Sequence, residues 1–407
     1  MAEATLAGRY ASVVFDLDGV IYLDDQVIPA APATVRGVRE LGARVAFVTN
    51  NALRPPSAVV ERLARLGIKA TVEEVLTSAQ AVVRLLGGEG GLAGVRTLVV
   101  GGPGLRQALE AAGARLLGPA AWREAEVVVG GLDPDLDYGK LRAAVLAITA
   151  GARFVGSNPD PSLPTTQGPW PGAGSILALL STASGVRPEI AGKPERALFE
   201  TVAAALGSGP FLMVGDRADT DLIGARSLGW GTALVLTGAT RLGGLLDLPA
   251  APDHLLADVG GLLAPPGPQI RAATGADAEA VARLLGRAVE WTAELAAGPV
   301  GTGPGRLLLV AGSGAEVVGA VACRWSGDQA RLDGLAVEPR WRGRLVASRL
   351  LLAARGDPPH AAGVRRITAG AAVAGTARGF LERLGFVPDA ATGTLARDLA
   401  PPPDPRS

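Results

Sequence analysis

Short apolar runs rich in β-branched residues recur along the first part of the chain, and segments with helical periodicity separate them. These runs lie at 12–15, 44–48, 97–100, 126–129, 211–214 and 232–236. Strands that alternate with helices are joined by crossover connections, which produce parallel sheets. The pattern therefore predicts an α/β protein with a Rossmann-like parallel sheet at its core.

Two carboxylates follow the first of these runs. Asp16 and Asp18 lie two residues apart in an extended segment, so their side chains face the same side and can reach one ligand. Ligands of open α/β sheets bind at this edge. One carboxylate of such a pair can attack phosphorus while the other transfers a proton, which makes Asp16 the candidate nucleophile and Asp18 the candidate acid and base. A lone pair of this kind is also typical of a solvated turn.

A hydroxyl and several backbone N–H groups follow the second run. Thr49 and Asn50 stand at its end, and the segment 55–57, Pro-Pro-Ser, then opens a predicted helix with a capped start. These groups are candidates for binding phosphate oxygens. The same residues are equally typical of a capped turn, because their side chains bond readily to the local backbone.

Lysine is rare in this chain. There are 39 basic residues, and the lysines among them are Lys69, Lys140 and Lys193. A compact ammonium on a flexible stem suits a phosphate oxygen beside an aspartate, where a planar guanidinium is oriented differently. We therefore predict that Lys193 binds phosphate, against the alternative of a lysine in a simple turn before a helix.

A further pair of acidic residues follows the run at 211–214. Asp216 lies at the predicted strand end, and Asp221 lies where the next helix begins. Magnesium prefers hard oxygen ligands and is usually held by one or two carboxylates together with substrate phosphate. Asp16, Asp216 and the carbonyl oxygen of Asp18 can supply them. Asp221 is predicted to be a ligand or to orient one.

Taken together, four segments carry a family resemblance. FDLDGV (15–20), VTNN (48–51), AGKP (191–194) and GDRADTD (215–221) resemble the four signature motifs of the haloacid dehalogenase superfamily. With NPD (158–160) and PGAGS (171–175), the chain resembles most closely the branch of 4-nitrophenylphosphatases, phosphoglycolate phosphatases and glycerol-3-phosphate phosphatases. The resemblance covers residues 10 to about 260. It implies magnesium-dependent hydrolysis of small phosphate monoesters through an aspartyl-phosphate at Asp16.

The spacing of the motifs predicts an inserted domain. The interval between Asn50 and Lys193 is too long for one crossover, so we assign 1–79 and 187–262 to the phosphatase core and 80–186 to an α/β cap. Strands at 95–100 and 127–129 and helices at 103–112 and 138–150 are predicted within the cap.

The resemblance also implies a role for the cap. In this branch of the family, the cap lies over the phosphate site and reads the organic part of the substrate. Asp133 and Asn158 are the candidates for that role. Both lie in segments of Gly, Asn, Pro and Asp, so turn chemistry explains them equally well.

A second resemblance begins after a Pro-rich linker at 263–268. Residues 269–400 resemble the α+β fold of GNAT acyltransferases, with strands at 270–273, 306–311, 315–324 and 330–337 and helices at 277–290 and 346–355. In that family, an Arg- and Gly-rich turn before a helix binds the pyrophosphate of coenzyme A. The pattern begins here at Arg342, but Leu345 stands where glycine is wanted for close backbone approach. We expect weak or vestigial acyl-coenzyme A binding and a structural or regulatory module.

Composition narrows the classes of partner and compartment. The formal net charge is zero, and no basic block occurs, which argues against nucleic acid or an anionic membrane as the main partner. The N-terminus lacks the pattern of a signal peptide, and Cys323 permits no internal disulfide. We expect a cytoplasmic protein that acts on a small phosphorylated metabolite.

The substrate stays open at this level. A phosphatase joined to a GNAT-like domain resembles the glycerol-3-phosphate phosphatases of actinobacteria, so glycerol 3-phosphate is the first expectation. Phosphoglycolate, a 4-nitrophenyl phosphate type of ester, and a bifunctional phosphatase and N-acetyltransferase are the alternatives. A haloacid-type dehalogenase needs neither magnesium nor a proton donor at Asp18, so Asp18, Lys193 and Asp216 argue against it.

Overall fold

The computed structural model describes residues 5–87, 91–165, 167–286, 302–303, 305–356, 363–390 and 393–400. Contacts within the chain divide it into two compact units. Unit 1 comprises Met1–Ala233 and Asp258–Ala264, and unit 2 comprises Leu234–Ala257 and Pro265–Ser407. No helix among the described residues is both long enough and apolar enough to cross a membrane.

Unit 1 contains two larger sheets with parallel strands and intervening helices, and two antiparallel pairs of short strands. Its strands are β1 (Ser12–Asp16), β2 (Tyr22–Leu23), β3 (Gln26–Val27), β4 (Arg44–Thr49), β5 (Val75–Thr77), β6 (Arg96–Val100), β7 (Arg115–Leu117), β8 (Val127–Gly130), β9 (Arg153–Gly156), β10 (Ser162–Thr165), β11 (Gly168–Pro171), β12 (Glu189–Ile190), β13 (Phe211–Gly215) and β14 (Gly231–Val235), which crosses the boundary of the unit. Its helices are α1 (Ala31–Glu40), α2 (Pro56–Arg65), α3 (Ser78–Gly87), α4 (Pro103–Ala111), α5 (Tyr138–Thr149), α6 (Ala173–Ser184), α7 (Arg196–Leu206) and α8 (Ile223–Ser227).

The core sheet has six strands, in the order His254–Leu256, β14, β13, β1, β4 and β5. β1 lies between β13 and β4 and pairs with both in parallel, and every residue of β1 is buried. Strands buried on both faces need apolar side chains on both faces, which explains the continuous apolar runs seen in the sequence. The carboxyl ends of these neighbouring strands therefore meet at one edge of the sheet.

The inserted cap has its own parallel sheet, in the order β12-β9-β8-β6-β7. On one face, α5 and α6 enclose an apolar cluster with Leu98, Val128 and Phe154. On the other face, Val99 and Val129 belong to the same buried cluster as Val14 of the core sheet and residues of α3, α4 and α7. Cap and core thus share one hydrophobic core, whose burial fixes them against each other.

The predicted fold class is confirmed, and the six strand-like runs of unit 1 match strands to within one residue at either end. The helices at 103–112 and 138–150 are likewise confirmed. The predicted cap boundary at 186 falls before β12, which pairs with β9 of the cap sheet. Ser57, in contrast, lies inside α2 and not at its cap, which is Pro55.

Unit 2 contains a mixed sheet covered by helices. Its strands are β15 (His254–Leu256), β16 (Gln269–Ala272), β17 (Thr302–Gly303), β18 (Arg306–Ser313), β19 (Glu316–Ser326), β20 (Gln329–Val337), β21 (Arg366–Ala369), β22 (Val387–Asp389) and β23 (Thr394–Asp398), and its helices are α9 (Ala278–Leu285), α10 (Val346–Gly356) and α11 (Ala371–Arg383). The main sheet has the order β16-β18-β19-β20-β21-β23-β22. These elements confirm the predicted strands and the helix at 346–355 to within two residues; α9 ends at Leu285, and positions 287–290 of the predicted helix lie outside the described residues.

By its contacts, the segment 234–257 belongs to unit 2. Arg397 on β23 is buried and donates to the carbonyl of Gly243, and it forms an ion pair with Asp247. Arg355 on α10 donates to the carbonyl of Leu248. These long-range polar contacts hold the segment to the mixed sheet, and sequence periodicity carries no signal for them.

Arg397→Met is expected to lower the free energy of unfolding of unit 2 by roughly 3 kcal/mol, because it leaves a carboxylate and buried carbonyl groups without their donor. Chemical denaturation followed by circular dichroism measures the change. Arg366→Met is the control: its ion pair with Asp398 is exposed, so its loss should cost much less. Equal effects of the two substitutions would contradict an anchoring role for Arg397.

Candidate active site

The predicted site residues lie at the carboxyl edge of the core sheet. Asp16 is the last residue of β1 and Thr49 the last of β4, and Asp216 follows β13 directly. Since β1 pairs with both β4 and β13, these three residues end adjacent strands. All three are buried. Side chains from segments far apart in sequence are thus brought to one place.

Lys193 lies at the centre of this group. Its ammonium is 2.8 Å from the Asp16 Oδ1 atom and 2.7 Å from the Asp221 Oδ1 atom, and all three side chains are largely buried. Burial alone would lower the pKa of Lys193, but the two carboxylates more than reverse this and raise the pKa above its usual value. Lys193 is therefore a permanent cation at this site.

The acidic side chains at this site outnumber the single ammonium of Lys193. One oxygen from each of Asp16, Asp216 and Asp221 lies within 4.8 Å of the others. Burial raises the pKa of Asp16 well above its ordinary value; Lys193 opposes the rise, while repulsion by Asp221 and Asp216 adds to it. Three buried carboxylates around one ammonium form a set that a hard divalent cation fits, because it relieves this repulsion.

Both carboxylate oxygens of Asp221 are bonded to neighbouring groups of the protein. It lies in the π-helical turn Ala218–Leu222, where one oxygen contacts Lys193 and the other accepts a hydrogen bond from the backbone N–H of Arg217 at 3.1 Å. A Cβ atom at Gly215 would lie 2.3 Å from this second oxygen, so the site needs glycine there. With both oxygens bonded, Asp221 is suited to orienting its neighbours.

Asp18 is in a different environment from Asp16. The residue is exposed and forms an isolated bridge with Tyr22. Desolvation by the surrounding protein raises the pKa of the Asp18 carboxyl above its ordinary value, and the positive charge of Arg62 partly offsets the rise. The guanidinium of Arg62 stacks on the ring of Tyr22 at 3.9 Å. A raised pKa on an accessible carboxyl is the property that a proton donor needs.

The side chain of Asn50 bonds to the backbone of Lys193 and to Asp160. Its Oδ1 atom accepts from the backbone N–H of Lys193 at 2.7 Å, and its Nδ2 atom donates to the carbonyl of Lys193 at 3.1 Å and to Asp160 at 2.9 Å. The side-chain amide is thus committed to the protein. What it leaves for an anion is its backbone N–H and the hydroxyl of Thr49, which accepts from Asn51.

The two cap candidates are both buried and engaged. Asp133 forms an ion pair with Lys140 at 3.0 Å and accepts from the backbone N–H of Asp135, so its carboxylate is used inside the cap. Asn158 donates to the carbonyl of Asn50 at 2.7 Å, which places it where the cap meets the core. Of these two residues, Asn158 therefore has the direct contact with the phosphate-site loops.

Sequence reasoning missed Arg217 and Asp160 as partners. The Arg217 Nη1 atom lies 3.2 Å from the Asp160 Oδ1 atom, and the same guanidinium also pairs with Asp219. Arg217 lies in the GDRADTD segment and Asp160 in the NPD segment, so both residues belong to motifs that are recognisable in the sequence. Their pairing depends on how the cap meets the core, which the spacing of residues does not reveal.

Unit 2 contains a separate cavity of about 590 Å³. It lies beside β20 and the start of α10, and Arg342, Gly343 and Leu345 of the predicted coenzyme A turn line it. Leu345 has a φ of 59°, a left-handed conformation that costs a branched residue energy. Ser348 also lines this cavity, and its buried hydroxyl has no hydrogen-bond partner among the described residues.

Comparison with known families agrees with this geometry. A haloacid dehalogenase-like hydrolase model matches residues 13–115, a HAD-hydrolase-like model matches 190–262, and an acetyltransferase (GNAT) domain model matches 304–388. A 5'-nucleotidase of Bacillus subtilis is 36% identical over 249 residues, which cover 61% of this chain and 95% of that protein.

Two further comparisons are with mycobacterial proteins. D-glycerol 3-phosphate phosphatase of Mycobacterium tuberculosis is 40% identical over 235 residues, which cover 58% of this chain and 65% of that protein, just under two thirds of its length. The crystal structure of a glycerol phosphate phosphatase from Mycobacterium tuberculosis in complex with magnesium has a TM-score of 0.70 and 30% identity, and covers 93% of this chain and 98% of that one. The chain therefore belongs to the haloacid dehalogenase-like hydrolase family, with a GNAT domain at its C-terminal end.

Lys193→Met is expected to lower the free energy of unfolding by about 3–5 kcal/mol when no divalent cation is present, because Asp16 and Asp221 then face each other without the ammonium. An added divalent cation should restore part of the loss, since it binds the folded state. Urea denaturation with and without the cation measures both effects. Arg196→Met, which removes an exposed ion pair with Glu200, is the control and should cost about 0.5 kcal/mol or less.

Proposed function

We propose that this protein is a magnesium-dependent phosphatase that hydrolyses small phosphate monoesters through an aspartyl-phosphate on Asp16. The observation that carries the proposal is the contact of Lys193 with Asp16 and Asp221 beside Asp216. A buried ammonium among three carboxylates at strand ends is suited to an anion that brings a metal with it. Membership of the haloacid dehalogenase-like hydrolase family supports the same activity.

Asp16 and Asp18 divide the chemistry between them. The Oδ2 atom of Asp16 attacks phosphorus, while its Oδ1 atom contacts Lys193, which keeps the carboxylate in position. Asp18, whose pKa is raised, donates a proton to the leaving alkoxide as the ester bond breaks. The same group then takes a proton from the water that attacks the aspartyl-phosphate, so Asp16 is regenerated and phosphate is released.

Magnesium would be held by Asp16, Asp216 and the carbonyl oxygen of Asp18, and Asp221 would orient Lys193 beside it. When bound, it supplies positive charge that lets one anion approach another. Thr49, the backbone N–H of Asn50 and the ammonium of Lys193 bind the oxygens of the phosphate group. These donors are already in place before the substrate binds, so the protein needs little reorganisation during the reaction.

Glycerol 3-phosphate is the substrate that we propose first. The mycobacterial relative at 40% identity is named for that ester, and the related solved structure aligns over 93% of this chain, which includes unit 2. Phosphoglycolate, 4-nitrophenyl phosphate and nucleotides are the alternatives, the last because of the 5'-nucleotidase relative. Comparison of kcat/KM for these esters with magnesium decides between them.

For unit 2 we propose weak acyl-coenzyme A binding in its cavity, without a catalytic role. The cavity is lined by Ser348 and by the turn that would hold pyrophosphate. Leu345 adds a side chain where the backbone should approach phosphate, which explains why we expect weak binding. An N-acetyltransferase activity would require consumption of acetyl-coenzyme A, which a coupled assay detects.

Asp16→Asn and Asp18→Asn are expected to impair the hydrolysis of 4-nitrophenyl phosphate at different steps. Nitrophenolate needs no proton to leave, so Asp18→Asn should release a burst of about one nitrophenolate per enzyme and then turn over about 10²–10⁴-fold more slowly than the native enzyme. Asp16→Asn should give no burst, because the attacking carboxylate is gone. Stopped-flow absorbance at saturating magnesium measures both.

EDTA is the control for this experiment, since it should abolish turnover of the native enzyme. With glycerol 3-phosphate, whose alkoxide must be protonated, Asp18→Asn should show no burst at all. A full burst from Asp16→Asn would remove Asp16 as the nucleophile.

Leu345→Gly is expected to tighten the binding of coenzyme A to unit 2 by on the order of tenfold, because it clears the approach of the backbone to the pyrophosphate. Isothermal titration with coenzyme A measures the dissociation constant. Leu345→Ala is the matched control: it retains the Cβ atom and should gain less. If neither the native protein nor the glycine variant binds, the cavity does not serve acyl-coenzyme A.

A further inference from the structure

Asp160 joins the cap to both loops that carry the phosphate site. It lies between β9 and β10, and its carboxylate accepts from the Asn50 Nδ2 atom at 2.9 Å and from the Arg217 Nη1 atom at 3.2 Å. We propose that Asp160 is a positioning residue of the phosphatase reaction, which fixes Lys193 and Asp221 from the cap side without touching substrate. This inference rests on the proposed function and assigns a new role within it.

The first connection runs through the amide of Asn50. An amide offers one oxygen and two N–H donors, and all three are used: the oxygen by the N–H of Lys193, and the donors by the carbonyl of Lys193 and by Asp160. A carboxylate can only accept, so Asp160 requires the NH₂ group of Asn50 to face it. That orientation in turn presents the oxygen to Lys193, and the backbone of Lys193 is held on both sides.

The second connection runs through Arg217. Its guanidinium pairs with Asp160, and its backbone N–H donates to one oxygen of Asp221. The other oxygen of Asp221 holds the ammonium of Lys193 at 2.7 Å. Asp160 therefore reaches Lys193 by two routes, one to its backbone and one to its side chain, and the contacts close into a ring.

The loop that carries Asp160 is preformed for this contact. Asn158 accepts from the N–H of Asp160 at 3.2 Å and donates to the carbonyl of Asn50 at 2.7 Å. Gly174 donates to the carbonyl of Asp160 at 2.8 Å, and a Cβ atom at Gly174 would lie 2.9 Å from that oxygen. A Cβ atom at Gly192 would lie 2.6 Å from the Oδ1 atom of Asn50. These close approaches pack the backbone of the Asp160 loop and the side chain of Asn50 against neighbouring segments.

The test compares three variants in the full-length chain. Asp160→Ala removes both connections, Asp160→Asn keeps one acceptor, and Arg217→Met removes the guanidinium route alone. We expect kcat for glycerol 3-phosphate to fall by on the order of tenfold or more in Asp160→Ala and by less in the other two, with KM little changed, because misplaced catalytic groups lower the rate of the chemical step. Glu189→Gln, which breaks another arginine contact of the cap, is the control and should leave kcat unchanged.

A second readout does not depend on turnover. Hydrogen exchange measured by mass spectrometry on the peptide that contains Lys193 should be faster by about tenfold in Asp160→Ala, because the N–H of Lys193 loses its fixed acceptor. Circular dichroism verifies that each variant is folded, and Asp160→Asn, which keeps the shape of the side chain, provides the same comparison if the alanine variant is not.

Each outcome supports or overturns the positioning role of Asp160. Faster exchange together with lower kcat supports the role. Unchanged exchange overturns it, because Lys193 is then held without Asp160, and faster exchange with native kcat overturns it as well, because the ring then has no part in the reaction. If the native protein releases no phosphate from any monoester, the proposed function itself fails, and the exchange result still shows whether Asp160 holds Lys193.

Discussion

The contact of one buried ammonium with two buried carboxylates is the interaction on which the site depends. Lys193 lies between Asp16 and Asp221, and neither carboxylate would be tolerated as an ion at this depth without it. The ion pair is therefore a structural requirement before it is a catalytic one. Asp216 adds a third carboxylate to this group.

The cap follows from the same requirement. A charged site at a sheet edge works best where water is limited, and the cap shares its apolar cluster with the core sheet through Val99, Val129 and Val14. This shared burial holds the cap in a fixed position, where loops from both parts can exchange hydrogen bonds over short distances. Asp160 and Asn158 make such bonds to Asn50.

Much of this arrangement was predictable from sequence, for a definite physical reason. Parallel strands bring their carboxyl ends together, so Asp16, Thr49 and Asp216 could be placed at one edge from their positions after apolar runs alone. The pairing of Arg217 with Asp160 could not, because it joins two loops 57 residues apart whose approach depends on tertiary packing. The orientation of the Asn50 amide was hidden for the same reason.

Some contacts of unit 2 were also beyond the reach of periodicity. The segment 234–257 begins with residues of β14. Arg355 and Arg397 contact Leu248 and Asp247 of this segment from more than a hundred residues downstream. Such contacts involve single polar groups and leave no repeat in the sequence.

The position of Arg397 has a consequence for the newly made chain. Asp247 and Arg397 are 150 residues apart, and a ribosome that adds about 5–20 residues per second needs roughly 8–30 seconds to cover that distance. The last stretch of unit 1 ends at Ala264, so unit 1 is fully synthesised long before Arg397 emerges. During this interval the segment around Asp247 waits without its permanent partner, and the order of translation separates the maturation of the two units in time.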